Sequence, residues 1–142
     1  MTYSKQYLRF RVGSQWYGLP IEDVVEVSYF MLLNELPGTT PDVLGLMTIH
    51  DEVIPVVDLR IRFGAKQSEY KLDTPIIATR TTQGTVGLVV DNAEALEPVQ
   101  ESETVHYAGS DLPFLSGAVK GSHGLLLLVD PEKLAIKPES VL

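Results

Sequence analysis

The residues of this chain best suited to chemistry are three histidines and the acids near them. His50-Asp51 precedes Asp58 by a few positions, so a carboxylate could orient an acid–base imidazole there. Gly121-Ser122-His123-Gly124 sets a hydroxyl beside an imidazole in a glycine-flanked segment, and Asp58 and Asp130 each close an apolar run and could be read as a carboxylate pair. None of these makes a complete set. His50, His106 and His123 lack the close spacing of a histidine-rich metal motif. The absence of cysteine removes thiolate ligands, disulfides and a thiol nucleophile. The Gly121–Gly124 segment leads into a strand, not into a helix whose N-terminus would hold a phosphate. The residues therefore read as non-enzymatic, with no catalytic residue, no cofactor and no metal. His50-Asp51 and Gly121–Gly124 read as turns, and Asp58 and Asp130 as caps of the helical turns after them. Trp16 reads as packing.

The elements that would position these residues are strands. Short runs rich in Val, Ile, Leu and aromatics are bounded by Gly, Pro, Asn or Asp, which predicts an all-β fold. Leu8, Phe10 and Val12 alternate with Tyr7, Arg9 and Arg11, giving a first strand with a core face and a solvent face. Gly13-Ser14-Gln15 turns it into Trp16–Pro20 as a hairpin. Ile21–Val27 carries apolar residues at helical spacing and predicts one helical turn. Pro37, Gly38 and Pro41 predict a loop. Strands follow at 43–49, 52–58, 75–82, 85–90, 115–120 and 125–130, with helical turns at 59–63 and 131–135. The polar stretch 65–73 reads as an exposed linker and as the boundary between two lobes, one over about 12–66 and one over about 73–135, with terminal strands free to cross between them.

An internal repeat supports two lobes. Gly117 lies 72 positions beyond Gly45, and Asp130 lies 72 beyond Asp58, each Asp closing an apolar run. Tyr17-Gly18-Leu19 and Val86-Gly87-Leu88 match at an offset of 69, the difference being a short loop. Neither half is large enough for a robust core of its own, so the two should share an interior and be related by a pseudo-twofold axis.

Composition limits the partners. A formal charge of -8 with no run of Lys or Arg argues against nucleic acid, whose binding relies on neutralising phosphates. The first dozen residues interleave charges with aromatics and show no export signal, and the longest aliphatic run, Leu125–Val129, is far short of the ~20 residues needed to cross a bilayer. The expectation is a cytoplasmic protein of one domain over residues 1–142, without direct membrane insertion.

The segment Val43-Leu44-Gly45-Leu46-Met47-Thr48-Ile49-His50-Asp51-Glu52-Val53-Ile54-Pro55-Val56-Val57-Asp58-Leu59-Arg60 resembles the central signature of the CheW family, Ile54–Arg60 most specifically. Tyr17–Ile21 with Val24 and Glu26, Val86–Asp91, and Gly117–Leu134 extend the resemblance over nearly the whole chain. It implies two five-stranded SH3-like barrels. It also implies an adaptor in bacterial chemotaxis signalling that binds the regulatory domain of a CheA-type histidine kinase and the cytoplasmic tip of chemoreceptors. By the same matching, Val24, Glu26, Gly45, Thr48 and His50 are receptor-side candidates. Gly87, Val90 and Asp91 are candidates for kinase contact or lobe integrity. Gly45 and Gly87 could equally serve strand packing and Val24 the core.

The chain departs from the family where Asn-Leu-Arg-Gly is replaced by Thr48-Ile49-His50-Asp51, exchanging a permanent guanidinium for an imidazole. That departure leaves open a diverged paralogue that binds kinase but not the usual receptors, serving a pilus or other non-flagellar pathway. A small-ligand-binding β-barrel is the reading from another class, and it would require a deep pocket with convergent polar groups.

Overall fold

The computed structural model describes residues 4–36, 40–66, 69–106 and 114–136. Pro37 and Gly38 of the expected loop, and Gln67 and Ser68 of the polar stretch, lie outside them. In chain order the strands are β1 (Ser4–Val12), β2 (Gln15–Pro20), β3 (Val24–Tyr29), β4 (Asn34–Glu35), β5 (Val43–Ile49), β6 (Glu52–Asp58), β7 (Pro75–Thr79), β8 (Val86–Val89), β9 (Asn92–Gln100), β10 (Val105–His106), β11 (Leu115–Gly121) and β12 (Gly124–Val129). One helical turn, α1 (Leu59–Arg62), follows β6, and single 3-10 turns occupy Ile21–Asp23, Phe30–Leu32, Glu101–Glu103 and Pro131–Leu134. Asp58 and Asp130 do cap their turns, accepting from the backbone N–H of Arg60 at 2.9 Å and of Glu132 at 3.1 Å. The helical turn expected over Ile21–Val27 stops at Asp23. Beyond it the β-branched pair Val24-Val25 enters β3, where cross-strand bonds to β7 replace helical ones.

Two sheets form two SH3-like lobes. Lobe I runs β3-β7-β8-β6-β5-β4 and lobe II runs β9-β1-β2-β12-β11-β10, so each holds six strands, the last in each order being only two residues long. The registers carry the repeat: Val56 pairs with Gly87 in lobe I as Leu128 pairs with Gly18 in lobe II, both in parallel. Leu88 faces Ile77 as Leu19 faces Leu8.

The lobes do not follow the boundaries expected from composition. Each repeat gives its first hairpin to the other repeat's sheet: β1-β2 joins β9–β12, and β7-β8 joins β3–β6. The exchange follows from connection lengths, since only Ile21–Asp23 separates β2 from β3 and only Val90-Asp91 separates β8 from β9. Those short links pass from one sheet to the other, whereas the polar stretch 65–73 joins β6 to β7 within lobe I. Polarity marks an exposed loop but carries no information about sheet membership.

The shared interior is drawn from both lobes. Phe10, Val12, Leu19 and Val129 of lobe II pack with Val57, Ile77, Val86 and Leu88 of lobe I, and Leu59 and Leu134 of the terminal turns close the cluster. Each lobe also has its own smaller core, around Met47, Ile54, Val56 and Ile76 in lobe I and around Tyr7, Val119, Leu126 and Leu128 in lobe II. The expected solvent face of β1 is therefore corrected. Leu8, Phe10 and Val12 fill the shared interior, but Tyr7 and Arg9 on the other face are also buried, inside lobe II.

Candidate functional site

The receptor-side candidates divide according to their place in lobe I. Glu26 on β3 and His50 in the β5–β6 turn meet, Nε2 to Oε1 at 2.8 Å, although they lie far apart in sequence. Thr48 is exposed on β5, on the same side as His50, and is paired with Val53 of β6, an apolar side chain left 50% exposed. Val24 is half-buried against the shared core beside a β3 irregularity. Gly45 is buried, and a Cβ there would fall 2.1 Å from the Asn34 carbonyl oxygen. Its role is to let β4 cross close over β5, a packing role that Gly117 repeats in lobe II, where a Cβ would fall 2.6 Å from the Val105 oxygen. The surface that remains is made of Glu26, Thr48, His50 and Val53.

His50 and Asp51 are the two central residues of a tight hairpin, Ile49 pairing with Glu52, and both have positive φ, 47° and 66°. Two-residue hairpin turns of this hand match the twist of the flanking strands, which explains why non-glycine residues accept the strain. The turn carries His50 back toward β3 and onto Glu26.

The kinase-side candidates occupy interior positions. Gly87 lies in β8 with Ile76 and Val56 methyls 3.1 and 3.2 Å from where its Cβ would sit, and Val90 is fully buried in the shared core. Asp91 joins the lobes: it accepts from the Gly13 N–H of lobe II at 2.7 Å and from Arg60 Nη1 of lobe I at 3.2 Å. Arg60 is itself buried and grips Asp58 through Nε and Nη2, each at 3.1 Å. Of its two readings, Asp91 thus has a direct geometric basis for lobe integrity, and Gly87 and Val90 offer no accessible surface to a partner. Tyr70 donates its hydroxyl to the buried Asp58, and burial, followed by that bond, pushes its ionisation well above the ordinary phenol range.

Two features escaped the sequence reading. Seven of the ten exposed large apolar side chains among the described residues fall within 21–72, and four of these, Tyr29, Met31, Leu32 and Leu72, gather at one end of lobe I. Tyr29 pairs with Pro75, the Met31 N–H bonds the Leu72 carbonyl at 3.2 Å, and Phe30 stacks on Tyr70 beneath them. Leu72 sits in the polar stretch, and its exposure had no signal in a single sequence.

The second feature is the Arg9 cluster in lobe II. Arg9 bonds Glu94 and Ser122 at 3.0 Å, approaches Glu97 at 3.5 Å and lies over the Trp16 ring. Burial alone would raise the Glu97 carboxyl, but the Ser122 hydrogen bonds and the Arg9 charge together hold it below the usual carboxylate range.

A cleft of about 530 Å³ opens between Arg60, Lys71, Thr74, Asp91 and Asn92. Of its charged walls, Arg60 and Asp91 are engaged in the lobe-joining contacts above. Among the described residues no group of three or more His, Asp or Glu is placed to hold a metal, and no helix is long and apolar enough to cross a membrane.

A pair of SH3-like lobes sharing one core, with apolar and polar side chains displayed on an outer face, defines a small two-lobed β scaffold. The chain belongs to the CheW-like domain family, whose model matches residues 6–139. It is similar to the chemotaxis protein CheW of Klebsiella aerogenes, 27% identical over an alignment covering 99% of this chain and 87% of the relative. It is also similar to protein FrzA of Myxococcus xanthus, 32% identical over 67% of this chain and 59% of that one. The crystal structure of the scaffolding protein TtCheW from Thermoanaerobacter tengcongensis superposes with a TM-score of 0.83 over 96% of both chains at 24% identity, which establishes the fold. The CheW family is one of scaffolds and adaptors in chemotaxis.

Proposed function

We propose that this protein is a cytoplasmic, non-enzymatic adaptor that couples a CheA-type histidine kinase to chemoreceptors. The observation that carries the reading is the asymmetry of the surface: lobe I displays Val53 beside Glu26, Thr48 and His50 and a second patch of Tyr29, Met31, Leu32 and Leu72, whereas lobe II leaves only Leu96, Val105 and Leu125 exposed as large apolar groups among the described residues. Exposed apolar groups rimmed by polar ones suit protein contacts. We assign the Glu26, Thr48, His50 and Val53 face to the receptor tip, because a helix could lay an apolar stripe on Val53 with polar groups on either side. We assign the Tyr29, Met31, Leu32 and Leu72 patch to the regulatory domain of the kinase, because it offers the larger apolar contact.

The test is titration calorimetry against the kinase regulatory domain and, separately, a receptor cytoplasmic fragment. Met31→Asp with Leu72→Asp should weaken kinase binding by a factor of about 30 or more, as loss of ~2 kcal/mol at a buried hot spot would, and leave receptor binding intact. Both side chains are exposed, so folding should be little affected. Binding to neither partner by the unaltered protein would sink the adaptor reading. Kinase binding without receptor binding would instead support a diverged paralogue.

A further inference from the structure

Met31, Leu32 and Leu72 of the apolar patch stand outside the strands, on the 3-10 turn Phe30–Leu32 and on the loop over residues 69–74. Such a surface binds well only if it is held in place before the partner arrives, because ordering loose backbone on binding costs affinity. The loop ends in a turn closed on itself, the Lys71 N–H bonding Thr74 Oγ1 at 2.8 Å and the Thr74 N–H bonding the Lys71 carbonyl at 3.0 Å. That turn presents Leu72, 70% exposed. Past the Tyr29–Pro75 pair, the N–H groups of Phe30 and Met31 bond the carbonyls of Thr74 and Leu72 at 2.9 and 3.2 Å, so the two segments extend the β3–β7 ladder outward.

We propose that Tyr70 is a positioning residue for kinase docking: its hydroxyl, bonded to Asp58, pins the far end of this extension to the core of lobe I and so sets where Leu72 and Met31 stand. The inference rests on the kinase reading of the patch. Glu69, Lys71, Leu72 and Asp73 are all exposed, whereas Tyr70 is half-buried and packs on the lobe I core. Its hydroxyl donates to Asp58 Oδ2, its ring stacks on Phe30 at 4.7 Å between centroids, and the Arg60 guanidinium lies 4.9 Å from its centroid.

The acceptor suits this role. Asp58 is fully buried, and Arg60 grips it through its backbone N–H, Nε and Nη2. A carboxylate held in this way cannot follow a moving loop, so the loop takes its position from the carboxylate, through a charge-assisted bond stronger than a neutral one. Phe30, stacked on the same ring, carries the constraint into the turn that presents Met31. The hydroxyl can be removed without stranding a charge: in Tyr70→Phe, Asp58 Oδ2 keeps its bond to Arg60 Nη2.

The experiment is titration calorimetry of the full chain against the kinase regulatory domain and, separately, a receptor cytoplasmic fragment. It compares the unaltered protein, Tyr70→Phe, Leu72→Ala and the double variant, with amide hydrogen exchange followed on each free protein. Kinase affinity should fall about three- to ten-fold in Tyr70→Phe, as loss of one hydrogen bond would give, with receptor affinity unchanged. The Met31 and Thr74 amides should exchange faster, and those of β5 and β6 as before. Because Tyr70 acts through Leu72, the double variant should lose clearly less than the product of the two single losses.

Unchanged kinase affinity in Tyr70→Phe, an equal loss toward both partners, or losses that multiply independently in the double variant overturns the positioning role. Absence of kinase binding by the unaltered protein, with Met31 exchange still faster in Tyr70→Phe, overturns the kinase reading of the patch instead.

Discussion

The two lobes are built from the same repeat, yet their interiors are filled in opposite ways. With β1–β2 laid on β7–β8 and β9 on β3, Arg9, Trp16 and Glu97 of lobe II take the positions of Ala78, Thr85 and Ser28 in lobe I. Lobe I thus closes around small neutral groups and an aliphatic core. Lobe II closes around a buried ion pair lying on an aromatic ring, with fewer apolar neighbours. The exposed surfaces invert the pattern, because lobe I carries the apolar faces assigned to partners. One fold can therefore divide its work, one lobe free to spend its surface on contacts and the other held shut by charge.

The sharpest way to break that contrast is to remove one member of the buried pair. Arg9→Ala places lobe I's residue in lobe II and leaves Glu97, only 7% exposed, without its counter-charge. A loss of about 3–5 kcal/mol in urea or guanidinium unfolding is expected, with a similar loss for Glu97→Ala. The double variant should lose clearly less than the sum of the two, because the second change removes the charge that the first left stranded.

The same site predicts acid behaviour. Glu97 has a folded-state pKa below its unfolded value, so its contribution is fully present above the ordinary carboxylate value, about 4.3, and is lost as pH falls through the depressed folded value. Glu97→Gln should flatten the acid limb of stability against pH. Asp42, held low in the same sense by Arg62 and Thr40 against the effect of burial, should keep part of the slope.

A smaller effect tests where the lobes agree. Gly45 and Gly117 occupy the same repeat position and admit the short strands β4 and β10, but the approach is tighter in lobe I, and there φ is +156°. Gly45→Ala should destabilise by about 2–3 kcal/mol and Gly117→Ala by about 1–2, measured as shifts in denaturant midpoint. Equal losses would mean that β10 approaches its neighbour as closely as β4 does.

Much of this was legible in the sequence where the signal is a repeated pattern. The glycine-to-aspartate spacing placed β5, β6, β11 and β12, and the Asp caps followed from Asp58 and Asp130 standing at the ends of apolar runs. The all-β fold and the family were legible for the same reason. What was missed has a physical cause in each case. β9 reads Asn-Ala-Glu-Ala-Leu-Glu-Pro-Val-Gln, rich in polar residues where it forms the edge of its sheet, pairing with β1 and, among the described residues, with no second strand. The hairpin exchange depends on which sheet a strand joins, a long-range choice that no local window encodes. Arg9 looked solvated because an arginine beside apolar residues usually is; its partners Glu97 and Ser122 lie 88 and 113 positions away. Glu26 and His50 were both singled out as surface residues, but their mutual contact needed the left-handed turn to bring them together.

The smallest expected effect concerns that turn and its counterpart. In lobe I the turn residues His50 and Asp51 hold φ of 47° and 66°, whereas in lobe II the turn is Ser122-His123 and the positive φ, 107°, is delegated to Gly124. Lobe II therefore uses the residue that enters this region freely, and lobe I tolerates strain of roughly 1 kcal/mol per residue. Asp51→Gly should relieve part of it. The greater freedom of glycine in the unfolded chain offsets some of the gain, leaving a stabilisation of about 0.5 kcal/mol. Gly124→Ala should move the other way by about 1 kcal/mol, and purely through backbone strain, since nothing lies within 4 Å of the added methyl. Opposite signs at equivalent turns, read from paired denaturation curves, would show that the lobes differ in where they keep strain. If Asp51→Gly instead destabilised the protein, the Asp51 side chain would have to be holding the hairpin, and the strain would belong to the receptor face itself.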